Sequence, residues 1–308
     1  MLSGLLIVLL PLALGYLVPV RHSRVLQAIN RGVNGSVYAI LLLMGVSLAG
    51  LENLASELSR MGSQALVLFA VITLCNLVAL WWLARRPSLQ VAPSPVVANA
   101  PTTKFAALLS SLSLVGVVAG GVLLGLGFAW LGGDAVFPFA EQLTTWVLYV
   151  LLTLIGCQLR NSGMPLKQIL LNRHGLAIAL TLVASSLLAG LIAAPLLELR
   201  WNEGLALASG FGWYSLSAIL VGDQLGPAFG GVAFFNDLAR ELLAFVLIPL
   251  TIARMAPLAI GYGGATSMDF ALPVIQQHGG VACVPIAVVS GFILSLLSPP
   301  LILLFLSL

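Results

Sequence analysis

Charge is what this chain lacks most: of its 308 residues 7% are charged and 60% hydrophobic, and mean hydropathy is +1.10. Soluble domains carry roughly 25% charged residues, so ions to coat a water-facing surface are missing. The net charge of +3 is spread over loops and leaves no patch for nucleic acid. Cysteine is scarce as well. Cys75, Cys157 and Cys283 stand singly in apolar runs, without a CxxC or a His/Cys cluster. Disulfides and metal sites are therefore not expected, and no cofactor is called for. Alternating apolar and polar positions are absent too, which excludes a β-barrel.

What remains is apolar sequence in long continuous runs, at about 2–20, 36–51, 63–84, 106–131, 143–159 and 175–197. A spanning helix needs ~20 such residues, leaving room for about eight to ten spans. The fold class is thus an all-α polytopic membrane protein, read as one transporter domain over 1–308. The first run lacks a positive leader and a small-residue cleavage site, so it reads as a membrane helix rather than a signal peptide. Arg21, Arg24 and Arg31 fill the first loop, Arg85, Arg86 and Lys104 the third, Arg160, Lys167 and Arg173 the fifth; the loops between are net acidic. Basic loops stay cytoplasmic, which puts the N-terminus outside. The third loop, about 85–105, is rich in Pro, Ser and Ala and is expected to be mobile.

The last third is different. Leu238–Ala253 and the closing run at 283–308 read as helices. Gly204–Gly222 is interrupted at Gly210 and Gly212, and Pro257–Gln276 by Gly261, Gly263, Gly264 and Pro273. If both broken segments cross, there are ten helices; if both are re-entrant from opposite faces, there are eight spans and Arg254 lies inside. The charge rule favours the second arrangement, and either one puts the C-terminus outside. Met44-Gly45-Val46-Ser47-Leu48 also resembles Ile155-Gly156-Cys157-Gln158-Leu159 three helices on, the relation an inverted repeat would produce.

Unwound backbone at membrane depth survives only inside protein or beside water. Its carbonyls coordinate cations, and half-helix N-termini attract carboxylates. Asp269, in the break with Thr266 and Ser267, is the sharpest candidate, because an acid in the bilayer is costly and is kept for function. In FFNDLARE, Asn236 or Asp237 can cap a helix, and Asp237 can pair with Arg240. Glu241 lies a turn deeper, where a cap cannot explain it; pairing with Arg240 is its bland alternative. Trp213 and Tyr214 in the first break can hold an ammonium or its aliphatic stem, although interfacial aromatic belts use the same residues; Gly212 and Ser215 beside them are further candidates for substrate or proton contact. Asn76 and Gln158 read as interhelical glue, His22 and His174 as topological, and His278 as a group that can titrate. A buried acid that holds a proton when empty and yields it to an arriving cation is a minimal antiport element.

At these residues the sequence resembles the bacterial LysO-type lysine exporter family. The matching strings are LENLAS at Leu51–Ser56, QLRNSGMPLKQILLNR at Gln158–Arg173, ASGFGWYSLS at Ala208–Ser217, FFNDLARE at Phe234–Glu241 and GATSMDF at Gly264–Phe270. The resemblance implies an inner-membrane exporter of L-lysine and its analogue thialysine, with a membrane-embedded acid pair that falls on Glu241 and Asp269. It further implies distant kinship with transporters whose core moves against a scaffold.

The reading is then a proton-coupled exporter working by alternating access, with protons, lysine and related cationic amino acids as partners and lipid around it. Glu241 and Asp269 take two ammonium groups, or one takes substrate while the other carries protons; a half-helix N-terminus holds the α-carboxylate. The alternative is a sodium/proton antiporter using the same acids. No GxSxG or HExxH is present and the run before Asp269 lacks a GxGD, so no enzyme is expected. Oligomeric state, coupling ion and selectivity among lysine, ornithine and arginine stay open.

Overall fold

Helix is what backbone must form where no water can satisfy its polar groups, and a computed structural model contains helices and no strand among the residues it describes: 10–11, 13–20, 23–50, 54–89, 104–131, 136–161, 172–280 and 282–308. In chain order they are α1 (Ser23–Ala49), α2 (Leu54–Ala84), α3 (Lys104–Trp130), α4 (Val136–Arg160), α5 (Arg173–Leu196), α6 (Trp201–Ala208), α7 (Tyr214–Leu225), α8 (Pro227–Thr251), α9 (Ala256–Gly263), α10 (Leu272–Gly279) and α11 (Cys283–Leu306). Short 3₁₀ turns cover Pro87–Leu89 and Gly264–Met268. Five helices are long and apolar enough to cross a membrane: α1, α2, α4, α5 and α11. The protein is therefore a multi-pass membrane protein. The equally long α8 carries Asp237, Arg240 and Glu241 along its length.

Several boundaries differ from the expectation. The helix expected at 36–51 begins instead at Ser23, so Arg24 and Arg31 belong to α1 and not to a loop. Likewise Glu57 and Arg60 lie in α2. The largest shift is in α8, which starts at Pro227 instead of Leu238. Gly226 at φ +94° turns the chain there and Pro227 occupies the first turn, where its missing N–H is no loss. Asn236 and Asp237 are consequently mid-helix, and the capping role considered for them does not hold. Of the loop expected at 85–105, everything between Leu89 and Lys104 lies outside the described residues, as do His22 and the side chain of Gln158.

Two groups of helices follow from the packing. In the first, α1 lies along α3 and α4. Small residues permit the close crossing: Gly45 sits against Val118 and Gly121, and Gly125 against Val46 and Ala49. In the second, α2 and α5 to α11 pack together, with α5 on α2 and α6, and α7 on α8. The first group meets the second mainly at α7 and α8, where Thr145 of α4 also donates to Asp223 of α7 at 3.0 Å.

Both glycine breaks are present as breaks. After α6 the helix stops at Ser209 and resumes at Tyr214; after α9 it tightens into 3₁₀ and resumes at Leu272. The resumed half of the second break returns toward the start of the first half, whereas α7 lies on α8, the helix that follows it. Gly279, at the end of α10, touches Ile252 just before α9, together with Cys283. Gly222 of α7 lies on Gly230 of α8, while Gly204 of α6 lies on Gly190 of α5.

Candidate functional site

The two breaks meet tip to tip. Ala265 N–H donates to the Phe211 carbonyl at 3.0 Å, and Gly264, at φ +62°, passes directly under that carbonyl. Phe211 itself is held at φ +51°, fully buried. A bulky residue in the left-handed region is strained by about 1–3 kcal/mol and persists only where its surroundings impose it. Here the surroundings are the opposite break.

Asp237 of α8 organises the first break. Its carboxylate accepts from Ser217 Oγ at 2.6 Å, Asn236 Nδ2 at 3.1 Å, the Gly212 N–H at 3.2 Å and Arg240 Nη1 at 3.5 Å. Gly210 packs so closely on the same carboxylate that a Cβ there would collide with it. Four donors around a wholly buried acid explain why it remains at this depth. Asp237 is thus a positioning residue for the break.

Glu241 is the opposite case. It is buried, 3% exposed, and among the described residues it forms no ion pair; Oε2 has no hydrogen-bond partner. Pairing with Arg240, the bland explanation for this acid, is not observed. It lies within electrostatic range of Asp237 and Asp269, and Tyr214 within range of Glu241, Asp269 and Tyr38. The acids of α8 and of the second break therefore share one region, contributed by segments far apart in the chain.

Asp269 ends the 3₁₀ turn at the second tip, where its carboxylate accepts from the Phe270 N–H at 2.6 Å. Its side chain is exposed, unlike the buried Asp237 and Glu241 of α8. Thr266 and Ser267 turn inward: their hydroxyls donate to the Gly263 and Ile260 carbonyls at 2.8 and 2.6 Å, satisfying acceptors freed by the break. Tyr214 is buried with its ring edge-on to Phe234 at 5.8 Å, not in an interfacial belt. Trp213 is half-buried beside it and Ser215 buried.

Asn76 behaves as glue, its Oδ1 accepting from Ser185 and Ser186 of α5 at 2.6 and 3.1 Å. His278 bonds its own helix through the Val274 carbonyl. A cleft of about 400 Å³ between α1 and α4 is lined by Gly35, Ser36, Ala39, Trp146, Val147 and Val150, none of them ionisable. Two residues not singled out beforehand also matter: Ser217 and Phe211 shape the first break together with Gly210. All three lie inside the string ASGFGWYSLS, so the signal was present without their roles.

Comparison with known proteins follows the same residues. A family model described as "Lysine exporter LysO" matches residues 115–306. The chain is 50% identical over 309 residues to the lysine exporter LysO of Escherichia coli (strain K12), covering 99% of each chain. It is 44% identical over 187 residues to a putative lysine exporter of Haemophilus influenzae, covering 60% of this chain and 94% of that one. No solved structure matches the chain.

Proposed function

The chain belongs to the lysine exporter LysO family, and from that membership we propose that it carries L-lysine outward across the bacterial inner membrane. The family is one of transporters, so amino-acid export and not enzymatic turnover is the role. Glu241 and Asp269 receive the substrate's ammonium groups, and thialysine, which keeps both, is a second cargo. Protons enter in exchange, carried by the same acids when lysine is absent. The two breaks are re-entrant from opposite faces and part alternately, with both chain termini outside. Gly279 returning to Ile252 supports that topology for the second break.

The observation that carries this reading is Glu241: a buried acid with an unpartnered oxygen, in electrostatic range of Asp269. An uncompensated carboxyl at this depth is expensive, and a cationic cargo relieves it. The test is lysine efflux from loaded proteoliposomes carrying Glu241→Gln or Asp269→Asn. Efflux is expected to fall to background in both; wild-type efflux in both removes the assignment. Sodium-driven proton flux without lysine would replace this reading with cation antiport.

A further inference from the structure

The guanidinium of Arg240 is under-used. It is 1% exposed, and among the described residues its sole partner is Asp237, reached by Nη1 at 3.5 Å, the longest of the four bonds to that carboxylate. Ser217, Asn236 and Gly212 already supply Asp237 with shorter donors. Nε and Nη2 of Arg240 have no partner. Those two nitrogens form one edge of the planar guanidinium, the edge that accepts a carboxylate side-on through two parallel hydrogen bonds. A buried cation with its bidentate edge empty is costly unless something fills it.

A second group on the same helix is also unfilled. Arg240 Nε and Nη2 are donors; Glu241 Oε2, on the next residue of α8, is an acceptor without a donor. Successive helix residues do not face each other, so these are two separate contacts, suited to a cargo that carries both a carboxylate and ammonium groups. Asp237 ties the fork to the first break, and Tyr262 of α9, whose hydroxyl bonds Thr73 of α2 at 2.9 Å, lies within electrostatic range of it.

We propose that Arg240 is a substrate-binding residue whose Nε–Nη2 edge takes the α-carboxylate, so that the transporter selects amino acids over the corresponding diamines. This rests on the lysine-export reading and goes beyond it, since that reading needs only the acids. Glu241 and Asp269 then hold the two ammonium groups.

The experiment is lysine counterflow in proteoliposomes, with cadaverine, which lacks the carboxylate, and lysine amide, which masks it, as competitors. In the wild type both are expected to compete about 30-fold more weakly than lysine, or worse, the loss that follows when a buried charge is left unpaired. In Arg240→Gln the gap closes, because lysine weakens while cadaverine does not; Arg240→Lys, with charge but no fork, falls between. Equal competition by lysine and cadaverine in the wild type overturns the proposal without any variant, so a misfolded Arg240→Gln cannot rescue it. An unchanged gap in a folded Arg240→Gln overturns it too. Wild-type vesicles that move no lysine at all would instead sink the export reading on which it rests.

Discussion

Ser217 and Asp237 face each other across the first break, the Ser217 hydroxyl donating to the Asp237 carboxylate at 2.6 Å. Through this contact and the Gly212 N–H, a mid-helix acid on α8 fixes the conformation of a separate segment. Ser217→Ala should cost about 1 kcal/mol, since other donors remain, and Asp237→Leu about 3–5 kcal/mol, since it strands those donors and Arg240. Melting temperature in detergent checks the order. Equal melting of the two variants would show that the carboxylate does not hold the break.

Glycine substitutions separate close approach from mere permissiveness. At Gly210 an added Cβ meets the Asp237 carboxylate, and at Gly264 it meets the Phe211 carbonyl with φ already at +62°. Gly210→Ala and Gly264→Ala are each expected to abolish lysine efflux, Gly264→Ala with at least about 1–2 kcal/mol of backbone strain alone. Gly62→Ala, on α2 with nothing within 4 Å of the added atom, should leave efflux unchanged. Efflux measured at matched protein density gives the comparison.

Coupling to protons has a signed consequence. If protons enter as lysine leaves, acidifying the outer side of a vesicle that reproduces the cell's orientation should speed efflux, and acidifying the inner side should slow it. Collapsing the gradient with an ionophore removes the difference. Efflux indifferent to both gradients would leave lysine export without a proton partner.

Topology is open to chemical labelling. Arg254, exposed just beyond α8, should as Arg254→Cys react with a membrane-impermeant thiol reagent from the cytoplasmic side only. Ile252→Cys with Gly279→Cys, in a chain whose native cysteines are replaced, should cross-link, because the Gly279 position touches Ile252. Labelling of Arg254→Cys from outside would mean that the broken segments cross instead of returning.

Much of the site was legible because polar residues are so rare here that each one stands out. Asp237, Arg240, Glu241 and Asp269 are named by that scarcity alone. The start of α8 was misjudged for the same reason: in continuously apolar sequence no helical period marks an end, and the polar FFND looked like a cap. The dipeptide Gly226-Pro227 was the available signal, a turn residue followed by a residue suited to a first helical turn.

Sequence by itself determined the class of this protein and the places where its helices break. Both depend on composition over a window, on too few ions for water and too many glycines for a continuous helix. Only the tertiary structure decided that Asp237 is satisfied four times over while Glu241 and one edge of Arg240 are left empty. Hydrogen-bond partners are set by which side chains face one another across packed elements, and no spacing along the chain encodes that.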